Sequence, residues 1–260
     1  MLEEKEHSKQ SPEFPAYAGN FLTGPAMTLR DPVQVVSTLF WYRRVQIAAS
    51  KGLHRGLPSA YELEKEFEPA AFGRTQQGDR YHRNKWSKYA RGLHTPRPAL
   101  VKRIDRLMPG TAAGLNHVVW ETLDTKLDAR HQIDEWVSRL SPEIQTVIML
   151  PEFHSGRHIG RQRRKALTRV QMGMIERRAS LDALACLTML LREAHETGQA
   201  EYSFKLFRPT FDMLLMLGVD YLGPDIGELL FEIYAERIFS GVWWNGRSYH
   251  LADYEFRRSA

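Results

Sequence analysis

The sequence predicts an all-α protein, and three observations support this class. Apolar residues recur at helical spacing along most of the chain, as Leu100, Val101, Ile104 and Leu107 do near its middle. Segments with this period end at glycine or proline, for example at residues 109–110. We find no convincing two-residue alternation of apolar and polar side chains, and therefore predict no strand and no hairpin turn.

The composition excludes several classes of protein. Of the 260 residues, 43% are hydrophobic, so the chain can bury a core and is not generally disordered. No stretch approaches the roughly 18 consecutive apolar residues of a membrane-spanning helix, and the acidic N-terminal residues lack the apolar segment of a secretory signal. The single cysteine cannot form an internal disulfide. We therefore expect a cytoplasmic protein without a membrane partner.

The first part of the chain predicts an extended arm followed by short helices. Residues 1–32 mix proline, glycine and polar side chains without a period, which is typical of such an arm. Asp31-Pro32 is typical of a helix start, because aspartate can cap the first turn and proline fits within it. Ser59 and Glu62 have the spacing of a capping box. The elements predicted here are helices over 33–49, 60–68, 80–91, 100–107 and 118–123, and a loop over 69–78.

The second part predicts a bundle of longer, more apolar helices. Its helices are predicted over 127–140, 141–151, 161–179, 180–196, 200–217 and 224–239. Pro209 is expected to bend the helix that contains it. Cys186 lies within a strongly apolar segment, so we predict a core residue and not a nucleophile.

The positive charge is concentrated in two blocks. The net charge is only +5, but residues 74–106 carry +8 and residues 154–178 carry +7, while the rest of the chain is net negative. Such clustering favours an anionic partner, and nucleic acid is the commonest one. The alternative is that these arginines and lysines form solvated helix faces.

If residues 80–91 form one helix, their polar and apolar side chains separate onto opposite faces. Trp86, Tyr89 and Ala90 share the side that can pack against the protein. Arginine and lysine on the polar side can donate hydrogen bonds to guanine, and asparagine can pair with adenine in the major groove. We therefore predict that the following side chains face the base edges: Arg80, Arg83, Asn84, Lys85, Ser87 and Lys88.

The segment 84–107 resembles the phage-repressor (Cro/XRE-type) helix-turn-helix family. Trp86 stands at the apolar anchor, Tyr89 at the second core contact, and Arg91-Gly92 at the helix end, followed by Pro96 and a leucine-rich helix. The resemblance covers about residues 33–110. It implies a recognition helix held in the major groove of double-stranded DNA by the helix over 60–68.

Two features depart from the pattern of that family. Ala90 stands where the family commonly has an acidic residue, and the long stretch 69–79 replaces the tight turn between the two central helices. The segment could therefore be a degenerate copy that binds DNA loosely or binds protein instead.

A second set of basic side chains is predicted to bind phosphates. Guanidinium forks and ammonium groups suit this contact, because they pair with phosphate oxygens without reading the base sequence. Four of them are placed at the start of the helix over 161–179. The predicted phosphate-binding residues are Arg91, Arg97, Arg103, Arg161, Arg163, Arg164 and Lys165.

The remaining candidate sites are weak. His154 and His158 have a spacing that could bind zinc on a helix, but glycines around them favour a loop. We predict no catalytic residue, no metal site and no cofactor. The pair Trp243-Trp244 is predicted to form a packed lid or an oligomer contact, with stacking on bases as the alternative.

These observations predict three regions and one main function. The regions are an arm over 1–32, a helix-turn-helix-like domain over 33–125 and a helical bundle domain over 126–260. The resemblance implies a DNA-binding transcriptional regulator or accessory factor of bacterial or phage type. The alternative is a helical protein–protein interaction module, an adaptor or inhibitor, with no DNA role. We also expect the C-terminal helices to offer a surface for a homodimer or a protein partner.

Overall fold

Helices make up most of the regular structure in a computed structural model of the protein. The structure describes residues 30–50, 56–74, 80–150, 162–240, 242–244 and 247–248. Within these residues the predicted all-α class is confirmed. Residues 32–260 pack as one unit, whereas almost all of the predicted arm lies outside the described residues.

The helices and strands follow one another along the chain with short connections. A 3₁₀ turn, Pro69–Ala71, precedes the first strand, and π-helical turns follow the last two helices at Gly218–Leu222 and Ala235–Phe239. The elements are α1 (Pro32–Ser50), α2 (Ala60–Phe67), β1 (Phe72–Arg74), β2 (Arg80–His82), α3 (Lys85–Ala90), α4 (Pro98–Leu107), α5 (Thr111–Leu115), α6 (Val118–Thr122), α7 (Ala129–Ser138), α8 (Pro142–Ile148), α9 (Arg169–Glu176), α10 (Leu181–Glu196), α11 (Ala200–Leu217), α12 (Pro224–Tyr234), β3 (Trp243–Trp244) and β4 (Arg247–Ser248).

Local capping signals place several helix starts where the sequence predicts them. The capping box at α2 is present: the Glu62 amide donates to Ser59 Oγ at 3.2 Å, and the Ser59 amide donates to Glu62 Oε2 at 2.7 Å. Ser180 caps α10 by accepting a hydrogen bond from the Ala183 amide at 3.2 Å. These caps satisfy N–H groups that have no partner within the helix.

The prediction that the chain contains no strands is wrong in two places. β1 and β2 form an antiparallel hairpin in the segment predicted as a loop, and β3 and β4 form another near the C-terminus. Each strand has two or three residues, which is too short to show a two-residue period. The dipeptide Asn245-Gly246 between β3 and β4 is a common hairpin signal that the prediction overlooked.

The predicted helix over 80–91 begins only at Lys85. Residues 80–82 pair with β1, and Asn84 has a left-handed backbone with φ 52°. The ring of His82 stacks on that of Phe72, with centroids 4.6 Å apart. Pairing with a distant strand therefore overrides the helical pattern in this segment, and the predicted polar face of one continuous helix does not exist.

The predicted helix over 161–179 begins only at Arg169. The backbone before it runs beside the end of α8: the Leu150 amide donates to the Gln162 carbonyl at 2.8 Å, and the Arg164 amide donates to the Ile148 carbonyl at 2.9 Å. A capping box of Thr168 and Gln171 then starts α9. The predicted placement of the basic residues 161–165 at a helix start is therefore wrong.

Two hydrophobic clusters form the core, and α1 contributes to both. Trp41, Tyr42 and Val45 belong to the smaller cluster with residues of α2, α3 and α4. Val33, Val36 and Phe40 belong to the larger cluster, which continues from α6 to Val242. The division into domains at residues 125/126 stays a prediction.

The centre of the larger cluster is α10. Cys186 is fully buried there, and burial raises the pKa of its thiol to about 12, so the predicted core role is confirmed. Pro209 lies inside α11, as expected. None of the described helices combines the length and the apolar character needed to cross a bilayer.

Two glycines bring the backbone of α12 against the turn that follows α11. A Cβ built at Gly227 would lie 2.6 Å from the carbonyl oxygen of Gly218 and 2.9 Å from its Cα. Gly227→Ala must therefore push α12 away from this turn. We expect it to lower the free energy of unfolding by about 1–3 kcal/mol, as measured by urea denaturation.

Gly173→Ala in α9 is the matched control. A Cβ there would meet only side-chain atoms at 3.7 Å, on Arg177 and Glu176. This substitution should raise stability by up to about 1 kcal/mol, because alanine favours a helix more than glycine does. Stabilisation by both substitutions would contradict the close approach at Gly227.

Candidate nucleic-acid interface

A fully buried carboxylate on α2 holds the start of α3. Glu64 Oε1 accepts a hydrogen bond from the Lys85 amide at 3.1 Å, and Oε2 accepts one from the Trp86 amide at 3.2 Å. The side chain of Asn84 caps none of the described N–H groups of α3. Glu64 therefore performs from α2 the function that a capping residue normally performs from its own helix.

The same carboxylate ties the first hairpin to α3. Nε2 of His82, at the end of β2, lies 2.9 Å from Glu64 Oε2, within hydrogen-bond distance. The edge of the His82 ring also faces Tyr61, with ring centroids 5.4 Å apart. Strand β2, helix α2 and helix α3 thus meet at one buried acidic side chain.

A second glutamate, one turn later on α2, fixes the body of α3. Glu68 Oε1 accepts a hydrogen bond from Lys85 Nζ at 2.8 Å, and Oε2 accepts one from Trp86 Nε1 at 3.1 Å. The Trp86 ring is fully buried and stacks on Phe67 at 5.6 Å between centroids. Trp86 is therefore the core anchor that the sequence predicts, and Tyr89 is buried in the same cluster.

Beside α3 lies a groove of about 430 Å³ that reaches the start of α4. Its described walls contain four Lys or Arg side chains and one Glu, which leaves an excess of three positive charges. It is lined by Glu68, Lys85, Lys88, Tyr89, His94, Thr95, Arg97, Ala99, Leu100 and Arg103.

The charges in the groove have different surroundings. Lys85 is paired with Glu68, so these two charges largely compensate each other. Arg103 donates a hydrogen bond to the carbonyl oxygen of Phe67, a neutral acceptor that leaves its charge uncompensated. Lys88, Arg97 and Arg103 therefore supply most of the positive potential of the groove.

Tyr89 adds a neutral donor to the same wall. Burial raises the pKa of its hydroxyl to about 12; the negative charges of Glu68 and Glu64 add to this effect, and Arg97 opposes it. The hydroxyl therefore stays protonated at neutral pH. It can donate a hydrogen bond to an anion without adding negative charge to the groove.

The residues predicted to face bases are divided between a strand, a connection and a helix. Lys85, Ser87 and Lys88 lie on α3, while Arg83 and Asn84 are exposed on the connection before it. Arg80 lies on β2. Because the helix starts at Lys85, these six residues do not share one helix face, contrary to the prediction.

The residues predicted to bind phosphates also separate. Arg97 and Arg103 line the groove, and Arg91 is exposed, with its Nε donating to the Ser87 carbonyl at 3.1 Å. Arg163 instead forms a two-bond ion pair with Glu193 of α10, at 2.8 and 2.5 Å. This guanidinium is thus already held by a carboxylate.

The other members of the second basic block have different positions. Arg164 donates from Nε to the Val147 carbonyl at 3.1 Å, and Lys165 is exposed. Arg161 lies outside the described residues, as do His154 and His158. In the described part of the chain, no group of three His, Cys, Asp or Glu side chains is placed to hold a metal ion.

The prediction missed Glu64 and Glu68, although a sequence signal for them exists. Both glutamates directly follow an apolar residue of the buried face of α2, Leu63 and Phe67 respectively. At helical spacing this places them on the border of that face, while Glu66 faces solvent. The acidic run of α2 was interpreted as uniformly exposed.

No known protein family, curated protein or solved structure matches the chain. Its function therefore has to be inferred from the side chains and the geometry of the groove.

Proposed function

We propose that the protein binds double-stranded DNA through α3, the connection before it and the start of α4. The observation that carries this proposal is the convergence of Lys88, Arg97 and Arg103 on one groove with an excess of three positive charges. Their distance in sequence makes this convergence a property of the fold. The resemblance of residues 84–107 to the phage-repressor family supports the same function, that of a regulator or accessory factor of bacterial or phage type.

The geometry favours contacts to the DNA backbone over extensive base reading. α3 has six residues, which corresponds to a length of about 9 Å. Only about one turn of it can enter a major groove, with Ser87 and Lys88 nearest to the bases and the exposed Arg83 and Asn84 before it. Phosphate contacts from Arg97 and Arg103 would therefore supply most of the affinity, with strong salt dependence.

Arg97→Ala should weaken the binding of duplex DNA evenly across sequences. The side chain lines the groove at the start of α4 and would neutralise about one phosphate. The slope of log K against log salt concentration should therefore become shallower by about 1. Fluorescence anisotropy with a labelled random duplex, titrated at several salt concentrations, measures both quantities.

Arg106→Ala is the matched control, because it removes the same charge from an exposed position of α4 outside the groove. It should leave the salt slope close to that of the unmodified protein. Equal effects of the two substitutions would argue against the groove. A Kd for random duplex weaker than about 10⁻⁴ M at low salt would reject DNA binding altogether.

Protein binding is the second candidate function, and α9 is the surface that favours it. Val170 and Met174, one turn apart, are 72% and 40% exposed, with Arg169 and Arg177 beside them. Neighbouring exposed apolar side chains are typical of a protein contact. Such a contact, with a second copy or another protein, would become the main function if the DNA titration fails.

A further inference from the structure

We propose that the groove between α3 and α4 binds a phosphate monoester, a dianionic terminal phosphate. This proposal rests on the proposed function in taking the same groove as the anion site. It goes further by naming the ligand group, because the phosphates inside a DNA strand are diesters with one charge each.

The shape of the groove is the first argument. A volume of about 430 Å³ lies within the range of pockets for small ligands. The phosphates inside a duplex are flanked by sugars on both sides and lie on a convex surface. A terminal phosphate projects from a single bond and can enter a recess, where Ala99 and Leu100 provide an apolar wall for the attached sugar.

The charge of the groove is the second argument. A phosphate monoester carries a charge of about −1.5 to −2 at neutral pH, and its three terminal oxygens accept hydrogen bonds. Lys88, Arg97 and Arg103 supply three positive charges, since Lys85 is already paired with Glu68. The excess of three charges therefore matches a dianion better than a single diester.

The donors are the third argument. The two guanidinium groups can each present a fork to phosphate oxygens, and Lys88 adds a flexible ammonium group. The protonated Tyr89 hydroxyl adds a donor that does not ionise at neutral pH. Glu68 does not compete for the anion's donors, because its two oxygens accept from Lys85 and from the Trp86 indole.

Two sources of this group are distinguished by separate arms of one experiment. In the first arm, the full chain is titrated into two labelled duplexes that differ only in a 5′-phosphate or a 5′-hydroxyl at the unlabelled end. In the second arm, a nucleoside 5′-monophosphate competes with the duplex at constant ionic strength, and the unphosphorylated nucleoside is the control. Lys88→Ala and Arg97→Ala are compared with Arg106→Ala in both arms.

We expect the 5′-phosphorylated duplex to bind about tenfold more tightly, which is the effect of one further charge-assisted hydrogen bond. Lys88→Ala and Arg97→Ala should remove this preference, while Arg106→Ala keeps it. Competition by the nucleoside monophosphate without a preference for the phosphorylated end would assign the site to a free nucleotide.

The outcomes separate this proposal from DNA binding itself. Equal affinity for the two duplexes, together with no competition by the monophosphate, would overturn the monoester site while DNA binding stands. Binding of the monophosphate with no measurable affinity for either duplex would support the site and reject the DNA function. A preference that survives both groove substitutions would also overturn the proposal.

Discussion

Glu64→Ala should lower the free energy of unfolding by about 3–5 kcal/mol. The substitution removes the acceptor for the Lys85 and Trp86 amides and for the His82 ring, and leaves a cavity beside a fully buried tryptophan. Buried N–H groups without an acceptor are costly because water cannot replace the lost bond. Urea denaturation followed by circular dichroism measures the loss.

Glu66→Ala separates this effect from the loss of an acidic residue on α2. Glu66 is exposed and lies only two residues from Glu64, so its replacement should change stability by less than about 0.5 kcal/mol. Glu64→Gln should give an intermediate loss, since its amide keeps one acceptor oxygen but places an NH₂ group against an N–H donor. Similar values for Glu64→Ala and Glu66→Ala would contradict the capping role.

Arg192→Met should also lower the free energy of unfolding by about 3–5 kcal/mol. Arg192 is only 6% exposed, and its Nη1 donates to the carbonyl oxygens of Thr122 and Asp124 at 2.9 and 3.0 Å. Its Nη2 donates to the Leu127 carbonyl and to Glu196 Oε1. One guanidinium thus binds the whole connection between α6 and α7 to α10.

The carboxylate partner makes the loss larger than that of hydrogen bonds alone. Glu196 Oε2 accepts a hydrogen bond from the Ala129 amide at 2.7 Å, at the start of α7. Without Arg192, this half-buried carboxylate and three carbonyl groups lose their charged donor. Thermal and urea denaturation of the Arg192→Met variant would show the loss as a lower midpoint.

Lys205→Met on α11 is the comparison for Arg192→Met. Lys205 also forms an ion pair with a glutamate at a spacing of four residues, Glu201, but both side chains are more than half exposed. Exposed pairs of this kind contribute little, so the change should stay below about 1 kcal/mol. A loss of the same size at both positions would show that burial of Arg192 does not matter.

Most of the helices could be predicted because their signals are local. The capping residues Ser59 and Ser180 and the prolines at positions 32 and 224 lie within a few residues of the helix starts that they determine. The segments 80–84 and 161–168 were predicted wrongly for one shared reason. Where the structure describes them, their backbone hydrogen bonds go to residues many positions away, which a local pattern does not reveal.

The groove was predictable in its charge but not in its architecture. The basic block over 74–106 indicated an anion site, and Lys88, Arg97 and Arg103 do line one groove. The two supporting glutamates could not be identified from charge. A carboxylate becomes a buried acceptor only when another helix brings its N–H groups within reach, and that approach depends on the whole fold.

The shared role of α1 has a consequence for how this protein can be divided or recombined. Trp41 and Val45 complete one cluster, while Val36 and Phe40 complete the other, on a single rigid rod of 19 residues. A fragment that lacks this helix exposes apolar surface whichever side of the chain it retains. Gene fusion or domain exchange that keeps either part intact must therefore carry α1 with it.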